Sequence, residues 1–186
     1  MFIQTESTPN PATLKFLPGR TVLESGALEF RSREEASASP LAGALLSIAG
    51  VETVMFGHDF VSVTKTDADW AHLKPAILGT IMEHFSANAP LLVGEAKPVP
   101  TADGEFFDPA DAKTVATIKE LIETRVRPAV AGDGGDIVFR GFRDGVVYLR
   151  MKGACSGCPS STATLKNGIE NLLRHFVPEI RAVEQG

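Results

Sequence analysis

The chain has 186 residues, of which 44% are hydrophobic and 22% charged, and its formal net charge is −5. This length and composition predict a globular protein of one or two domains. No run of 18 apolar residues occurs, so we expect no membrane-spanning helix. Lys and Arg are nowhere dense enough to neutralise several phosphates, which argues against a nucleic-acid partner.

The composition also bears on the cellular compartment. The first residues, "MFIQTESTPNPATLKF", lack the basic start, apolar middle and cleavage site of a secretory signal. Two cysteines are too few for a disulfide framework, which favours free thiols in a reducing environment. We therefore expect a cytoplasmic protein, with a mature protein of the mitochondrial matrix as the alternative.

The sequence divides into two predicted domains, residues 1–87 and 111–186, joined by a linker of residues 88–110. Pro, Gly, Ala and acidic residues replace any helical or alternating pattern in the linker. Residues 1–87 carry 6 basic and 10 acidic side chains, whereas residues 111–186 carry 11 and 9. We expect the two domains to move independently, with Phe106 and Phe107 docked on one of them.

The first domain has the pattern of an α+β fold. Short strands are predicted in "FIQTE" and "TLKFL", and a hairpin in "ETVMFGHDFVSVTKT" with its tip at Gly57, His58 and Asp59. One helix is predicted in "SPLAGALLSIAG" and a second in "WAHLKPAILGTIMEHF". Because no metal-ligand spacing links His58, His72, His84 and Trp70, we interpret them as turn and surface histidines and a tryptophan at the edge of the core.

The second domain is predicted to have the order α-β-β-α-β, so the fold class is two small α+β domains. Its first helix, "ADAKTVATIKELIETRVRPAV", should stop near Pro128. Its last helix should begin at Pro159 and be followed by a strand in "PEIRAV". The predicted apolar stripe of that helix consists of Leu165, Ile169, Leu172, Leu173 and Phe176.

The hairpin between these helices has two possible turns. A two-residue turn at Asp144 and Gly145 would pair Arg140 with Leu149 and mix apolar with polar residues. A three-residue loop with Gly145 in the left-handed region aligns the apolar residues, so we predict that loop. The core face then contains Ile137, Phe139, Val147, Leu149 and Met151. The opposite face contains Arg140, Phe142, Tyr148 and Arg150.

Asp133 and Asp136 flank two glycines just before this hairpin. They fit a turn in which Asp caps backbone N–H groups, and a metal or partner contact is the alternative. Asp beside Gly is common in turns, so we interpret both as turn residues.

The two cysteines of the chain, Cys155 and Cys158, form a C-x-x-C motif in "GACSGCPSS". The motif lies between a predicted strand and the N-terminus of a predicted helix, where the helix dipole favours a thiolate. We therefore expect lowered thiol pKa values. Thiolates are nucleophiles and soft-metal ligands, and this spacing lets both sulfurs reach one metal centre.

Four interpretations of the pair are open: two structural thiols, a thioredoxin-like dithiol/disulfide oxidoreductase, a zinc site and an iron–sulfur site. The preceding hairpin, in place of a βαβ unit, counts against the oxidoreductase. The two metal sites usually need four ligands, and His175 lies too far along the helix to help. A second copy of the chain in a two-fold dimer would complete a Cys₄ site, which dissociation could reopen.

The stretches "RPAVAGDGGDIVF" and "GACSGCPSSTATLKNGIENLL" closely resemble the C-terminal domain of NifU-like (Nfu-type) iron–sulfur cluster proteins, over about residues 113–183. "FIQTESTPNPATLKFLPG" resembles the N-terminal domain of the same family. The resemblance implies a carrier or scaffold, not an enzyme, that holds a [4Fe-4S] cluster between two subunits of a homodimer. Cys155 and Cys158 would be the ligands. Apo iron–sulfur client proteins and an upstream cluster-assembly scaffold would be the partners.

Overall fold

The computed structural model describes residues 1–94, 104–156 and 159–186, with the backbone alone for residues 159–161. The chain forms two compact units, Met1–Val99 and Pro100–Gly186, here called the N-terminal unit and the C-terminal unit. Both combine helices with antiparallel strands, which confirms the predicted α+β class. None of the helices within the described ranges is long and apolar enough to cross a membrane.

The described part of the N-terminal unit contains five strands, two α-helices and a short 3-10 turn. The strands form one antiparallel sheet in the order β1-β2-β5-β4-β3. The elements are β1 (Gln4–Ser7), β2 (Thr13–Leu17), β3 (Leu28–Phe30), the 3-10 turn (Glu35–Ala38), α1 (Pro40–Leu46), β4 (Val51–Phe56), β5 (Val61–Lys65) and α2 (Trp70–Ser86). Both predicted helices and the hairpin are confirmed, whereas β3, only three residues long, was not predicted.

Local sequence explains where these helices start and which face they bury. The Ser39 hydroxyl caps α1 by accepting from the Ala42 N–H at 3.3 Å, and the Asp69 carboxylate caps α2 by accepting from the Ala71 N–H. The helices cover the sheet face that carries Phe16, among others. The buried residues of α2 recur at helical spacing and include Leu73, Ile77, Ile81 and Phe85.

His84 departs from the predicted surface location. It is only 8% exposed, and its Nε2 has no hydrogen-bond partner among the described residues. Burial lowers the pKa of His84, because it penalises the charged imidazolium. Trp70 lies at the core edge as predicted, and its indole N–H donates to the Pro11 carbonyl at 3.1 Å.

The C-terminal unit has the predicted α-β-β-α-β order. Its strands form a three-stranded sheet in the order β6-β7-β8, in which β6 and β7 are antiparallel and β8 is parallel to β7. The elements are a 3-10 turn (Pro109–Asp111), α3 (Ala112–Leu121), a π-helical segment (Ile122–Val126), α4 (Arg127–Gly132), β6 (Gly135–Arg143), β7 (Val146–Gly153), α5 (Pro159–Phe176) and β8 (Ala182–Gln185).

The first helix of this unit does not stop near Pro128, contrary to the prediction. The π-helical segment Ile122–Val126 precedes α4, and Pro128 occupies the first turn of α4, where its missing N–H costs little. The helix ends instead at Gly132, and the turn that follows contains Gly134, which has φ 76° and donates its N–H to the Ala131 carbonyl at 3.0 Å.

The predicted three-residue hairpin loop is wrong. Arg143 pairs with Val146, so the turn consists of Asp144 and Gly145, whose φ angles of 53° and 79° fit a type I′ turn. A β-bulge between Phe139 and Gly141 absorbs one residue and restores the alignment of Phe139 with Leu149.

The bulge changes the face on which Phe142 lies. Phe142 pairs with Val147 and is only 4% exposed, so it belongs to the core. The prediction that it lies on the outer face is wrong. The predicted stripe of α5 also changes at one residue. Ile169 and Leu173 are buried, but Phe176 is 45% exposed. The Arg125 guanidinium lies 5.1 Å from the centroid of the Phe176 ring.

Both ends of the predicted linker contact a unit. The Leu91 carbonyl accepts from the Ser39 hydroxyl at 2.7 Å in the N-terminal unit. Phe106 docks on β6, as predicted: its N–H donates to the Arg140 carbonyl at 3.1 Å, and its carbonyl accepts from the Phe142 N–H at 2.8 Å. Residues 95–103 of the linker lie outside the described residues.

Candidate functional site

The loop that follows β7 carries the first cysteine of the C-x-x-C motif. Its described part runs to Ser156, whose N–H donates to the Gly153 carbonyl at 3.1 Å. The Ala154 N–H donates to the Gly134 carbonyl at 3.2 Å, which ties the loop to the turn before β6. Gly157 and Cys158 lie outside the described residues.

Cys155 is buried in the core of the C-terminal unit and is only 6% exposed. A Cβ atom added to Gly135 would lie 2.3 Å from the Cys155 Sγ and 3.0 Å from the Lys152 carbonyl oxygen. The sulfur therefore occupies the space that a side chain at residue 135 would fill. The Thr162 hydroxyl donates to the Cys155 carbonyl at 3.2 Å and so connects the loop to α5.

The environment of Cys155 raises its pKa to about 12, chiefly through burial and secondly through the charges of Asp133 and Asp136. The prediction of a lowered thiol pKa is wrong for this residue. It assumed that both sulfurs lie at the open helix N-terminus, whereas the Cys155 sulfur points into the core. For Cys158 it stays a prediction.

Asp136 is held in a buried ion pair next to this pocket. Its two carboxylate oxygens accept from the Arg127 Nε–H at 2.8 Å and the Arg127 Nη2–H at 3.0 Å, and Arg127 also contacts Glu123 at 2.6 Å. These bonds raise the pKa of Arg127. Asp136 is thus not the turn residue that we predicted, although Asp133 lies exposed in the turn.

Sequence reasoning missed both Gly135 and Arg127 as residues that shape this pocket. The second Gly of the pair before β6 was a usable signal, because a glycine at the start of a strand often marks a close approach of another group. Arg127 gave no comparable signal, since its partner Asp136 is brought to it by the turn at the end of α4.

Among residues 1–94, 104–156 and 159–186, no group of three or more His, Cys, Asp or Glu side chains could hold a metal ion. The carboxylates nearest to Cys155 are Asp136, which is engaged by Arg127, and Asp133. The soft donors of this region are the two thiols of the C-x-x-C motif.

Two family models match the chain. One, described as "Scaffold protein Nfu/NifU N terminal", matches residues 3–88, and the other, "NifU-like domain", matches residues 118–184. A Homo sapiens protein named "NFU1 iron-sulfur cluster scaffold homolog, mitochondrial" is 49% identical over 187 residues, which cover 100% of this chain and 72% of that protein. The chain belongs to the Nfu/NifU-like family. The resemblance of its sequence motifs is thereby confirmed in both units.

Two further relatives match the whole chain or about half of it. "NifU-like protein 4, mitochondrial" of Arabidopsis thaliana is 52% identical over 188 residues, which cover 100% of this chain and 66% of that protein. The solution NMR structure of a NifU-like protein from Saccharomyces cerevisiae aligns with 51% of this chain and 87% of its own, at 27% identity and a TM-score of 0.46.

Proposed function

We propose that this chain is an iron–sulfur cluster scaffold and carrier. It binds a [4Fe-4S] cluster between two subunits, through Cys155 and Cys158 of each, and transfers the cluster to apo-proteins. The observation that carries the proposal is the donor set, one C-x-x-C pair per chain in a loop that begins at β7. Family membership supports the scaffold role, since the human relative bears that description in its name.

The chemistry of the site fits a transferable cargo. Thiolates are the usual ligands of iron–sulfur clusters, and a Cys₄ set requires two copies of this chain. A cluster held by only two bonds per subunit is released when the dimer opens. The partners are therefore a second copy, an upstream scaffold that supplies the cluster and apo-proteins that accept it, and the chain itself acts as a carrier, not an enzyme.

The alternative, a dithiol/disulfide oxidoreductase, fits the Cys155 environment less well. Such an enzyme needs an accessible thiolate, whereas burial raises the pKa of Cys155 and covers its sulfur. A metal centre tolerates a high thiol pKa better, because ligation itself displaces the proton.

Anaerobic reconstitution with iron and sulfide tests the proposal. We expect visible absorbance, about one [4Fe-4S] cluster per two chains and a dimer by native mass spectrometry. Cys155→Ser and Cys158→Ser should each lose the cluster, because two-fold symmetry removes two ligands at once, while circular dichroism stays that of a folded chain. A colourless monomer with a redox-active disulfide would instead support the oxidoreductase.

For the compartment, the names of the human and Arabidopsis relatives describe mitochondrial proteins and do not support the cytoplasmic expectation. We propose that the protein resides in a reducing compartment. The names of the relatives favour the mitochondrial matrix as that compartment. Fractionation of source cells, with detection of the chain beside matrix and cytosolic markers, tests this assignment.

A further inference from the structure

The Cys155 sulfur lies where it cannot serve a second chain. It is packed against Gly135 inside the core of its own unit, and 6% of the residue is exposed. The backbone around it is fixed on both sides, by the Ala154 N–H bond to Gly134 and by the Thr162 hydroxyl bond to the Cys155 carbonyl. These two bonds hold the backbone of Cys155 beside Gly135, where its sulfur is buried.

A cluster shared by two chains imposes the opposite requirement. All four sulfurs must meet at the boundary between the subunits, within bonding distance of one inorganic core. The Cys155 sulfur cannot satisfy this requirement while it fills the space beside Gly135. The described conformation and a cluster-bound conformation must therefore differ at this residue.

We propose that the described conformation sequesters the Cys155 thiol: the pocket at Gly135 withholds it from metal and oxidants, and cluster loading draws the thiol out. The inference rests on the proposed function, since release matters for loading only if Cys155 is a ligand. The pocket then controls the rate of uptake and protects the thiol while no cluster is available.

Gly135 is the residue through which this control can be changed. Its φ is not in the left-handed region, so alanine meets a steric obstacle there and no backbone strain. The added methyl group would occupy the sulfur's space and push the thiol outward. Gly132 provides a matched control, because it lies in the same turn region and a Cβ added to it has no heavy atom within 4 Å.

The test measures alkylation of Cys155 by iodoacetamide in the cluster-free full chain carrying Cys158→Ser. We expect the folded protein to react at least roughly tenfold more slowly than the same protein in urea, because a buried group reacts only after local opening. Gly135→Ala should raise the folded-state rate severalfold, and Gly132→Ala should leave it unchanged. Equal rates in buffer and in urea would overturn the inference.

A second variant covers the case in which Gly135→Ala does not fold. Thr162→Val removes the hydroxyl that holds the Cys155 carbonyl, and it should also speed alkylation. Thr117→Val is its control, since the Thr117 hydroxyl donates to the Lys113 carbonyl of its own helix. If alkylation were no faster in Thr162→Val than in Thr117→Val, this bond would not be what keeps the Cys155 sulfur buried.

Cluster uptake separates this inference from the proposed function. With both cysteines present, Gly135→Ala should take up cluster faster than the wild type and reach the same final stoichiometry. An unchanged or slower rate would overturn control by the pocket. Loss of cluster binding by wild-type protein would refute the proposed function, yet it would leave the alkylation result standing, because that assay contains no metal.

Discussion

Each unit of the molecule contains a buried side chain whose pKa is shifted by burial, and the two shifts have opposite sign. In the N-terminal unit burial lowers the pKa of His84, whereas in the C-terminal unit burial raises that of Cys155 to about 12. The cause is the same, a penalty on the charged form. Imidazole becomes charged by binding a proton, whereas a thiol becomes charged by losing one. Acid therefore destabilises the N-terminal unit, and alkali destabilises the C-terminal unit.

The units also differ in how they are built. The N-terminal unit contains no cysteine and packs a five-stranded sheet against helices around an apolar core, at whose margins polar side chains such as Lys15 and His84 are also buried. The C-terminal unit has a three-stranded sheet, and it includes the buried Asp136–Arg127 pair and the docked Phe106. The unit that holds the thiols thus has the smaller sheet and a buried ion pair beside its candidate site.

The largest expected effect comes from separating the units. Residues 104–186 alone should assemble the cluster, and residues 1–94, which lack thiols, should bind none. The shorter fragment 111–186 would lose the Phe106 contacts with β6 and serves as a comparison. Iron and sulfide analysis after reconstitution measures the outcome. Failure of residues 104–186 to hold a cluster would show that the N-terminal unit helps to build the site.

The same fragments test whether the N-terminal unit docks client proteins. If it docks clients, residues 104–186 should transfer cluster more slowly than the full chain, with the greatest loss at low client concentration, because a tethered contact raises effective concentration. Transfer to an apo-protein followed by circular dichroism measures the rates. Identical rates at every client concentration would exclude docking.

The next effect concerns the buried ion pair of the C-terminal unit. Arg127→Ala should destabilise this unit by about 3 kcal/mol, the lower end for a broken buried pair, because it leaves the Asp136 charge buried without its partner. The lower end applies since the Arg127 side chain keeps 25% exposure. Urea unfolding followed by the single tyrosine, Tyr148, measures the loss.

Two comparisons keep this prediction specific. Lys166→Ala removes the partner of Glu184 in a more exposed pair, and should cost no more than about 1 kcal/mol. The single tryptophan, Trp70, reports on the N-terminal unit, so its unfolding midpoint should not move. Equal losses in Arg127→Ala and Lys166→Ala would mean that the Asp136 pair contributes little.

The sequence predicted those features that depend on local patterns. The class of both units, the start of α5 at Pro159 and the helix of Leu73, Ile77 and Ile81 follow from periodicity and capping. The hairpin register shows the limit. We correctly aligned Phe139 with Leu149, but assigned the extra residue to the turn, whereas a bulge at Arg140 absorbs it. Periodicity fixes which residues face the core and does not distinguish between these two solutions.

For the candidate site, the sequence supports a proposal of the donor atoms but does not predict their surroundings. The C-x-x-C spacing identified Cys155, but the direction of its sulfur depends on Gly135, which is 20 residues earlier and is brought near by β6 and β7 pairing. Burial of His84 escaped prediction for a related reason. A histidine near the end of an amphipathic helix is buried or exposed according to what packs on that turn.

The alkaline sensitivity of the C-terminal unit should come from Cys155. Its folded-state pKa lies above the ordinary value of 9.0, so its contribution to stability is complete below pH 9 and is lost as the pH rises toward 12. Between pH 9 and 10 the wild type should lose roughly 1 kcal/mol more than Cys155→Ala, because the unfolded thiol is already half ionised at pH 9. Urea unfolding of cluster-free protein at these pH values, followed by Tyr148, measures the difference. Parallel pH dependence in both proteins would place the thiol outside the core.

The smallest expected effect is the acid counterpart in the N-terminal unit. The pKa of His84 is lowered in the folded state, so the unfolded chain binds the proton more readily and stability falls as the pH drops below 6.5. His84→Leu should flatten this decline, and at neutral pH it should not destabilise the unit, because it removes a buried Nε2 that lacks a partner among the described residues. Trp70 fluorescence in urea between pH 5 and 7.5 follows the N-terminal unit, with His72→Leu as the exposed control. If His72→Leu flattened the acid limb as much as His84→Leu, the sensitivity would belong to the surface charge of this acidic unit and not to its core.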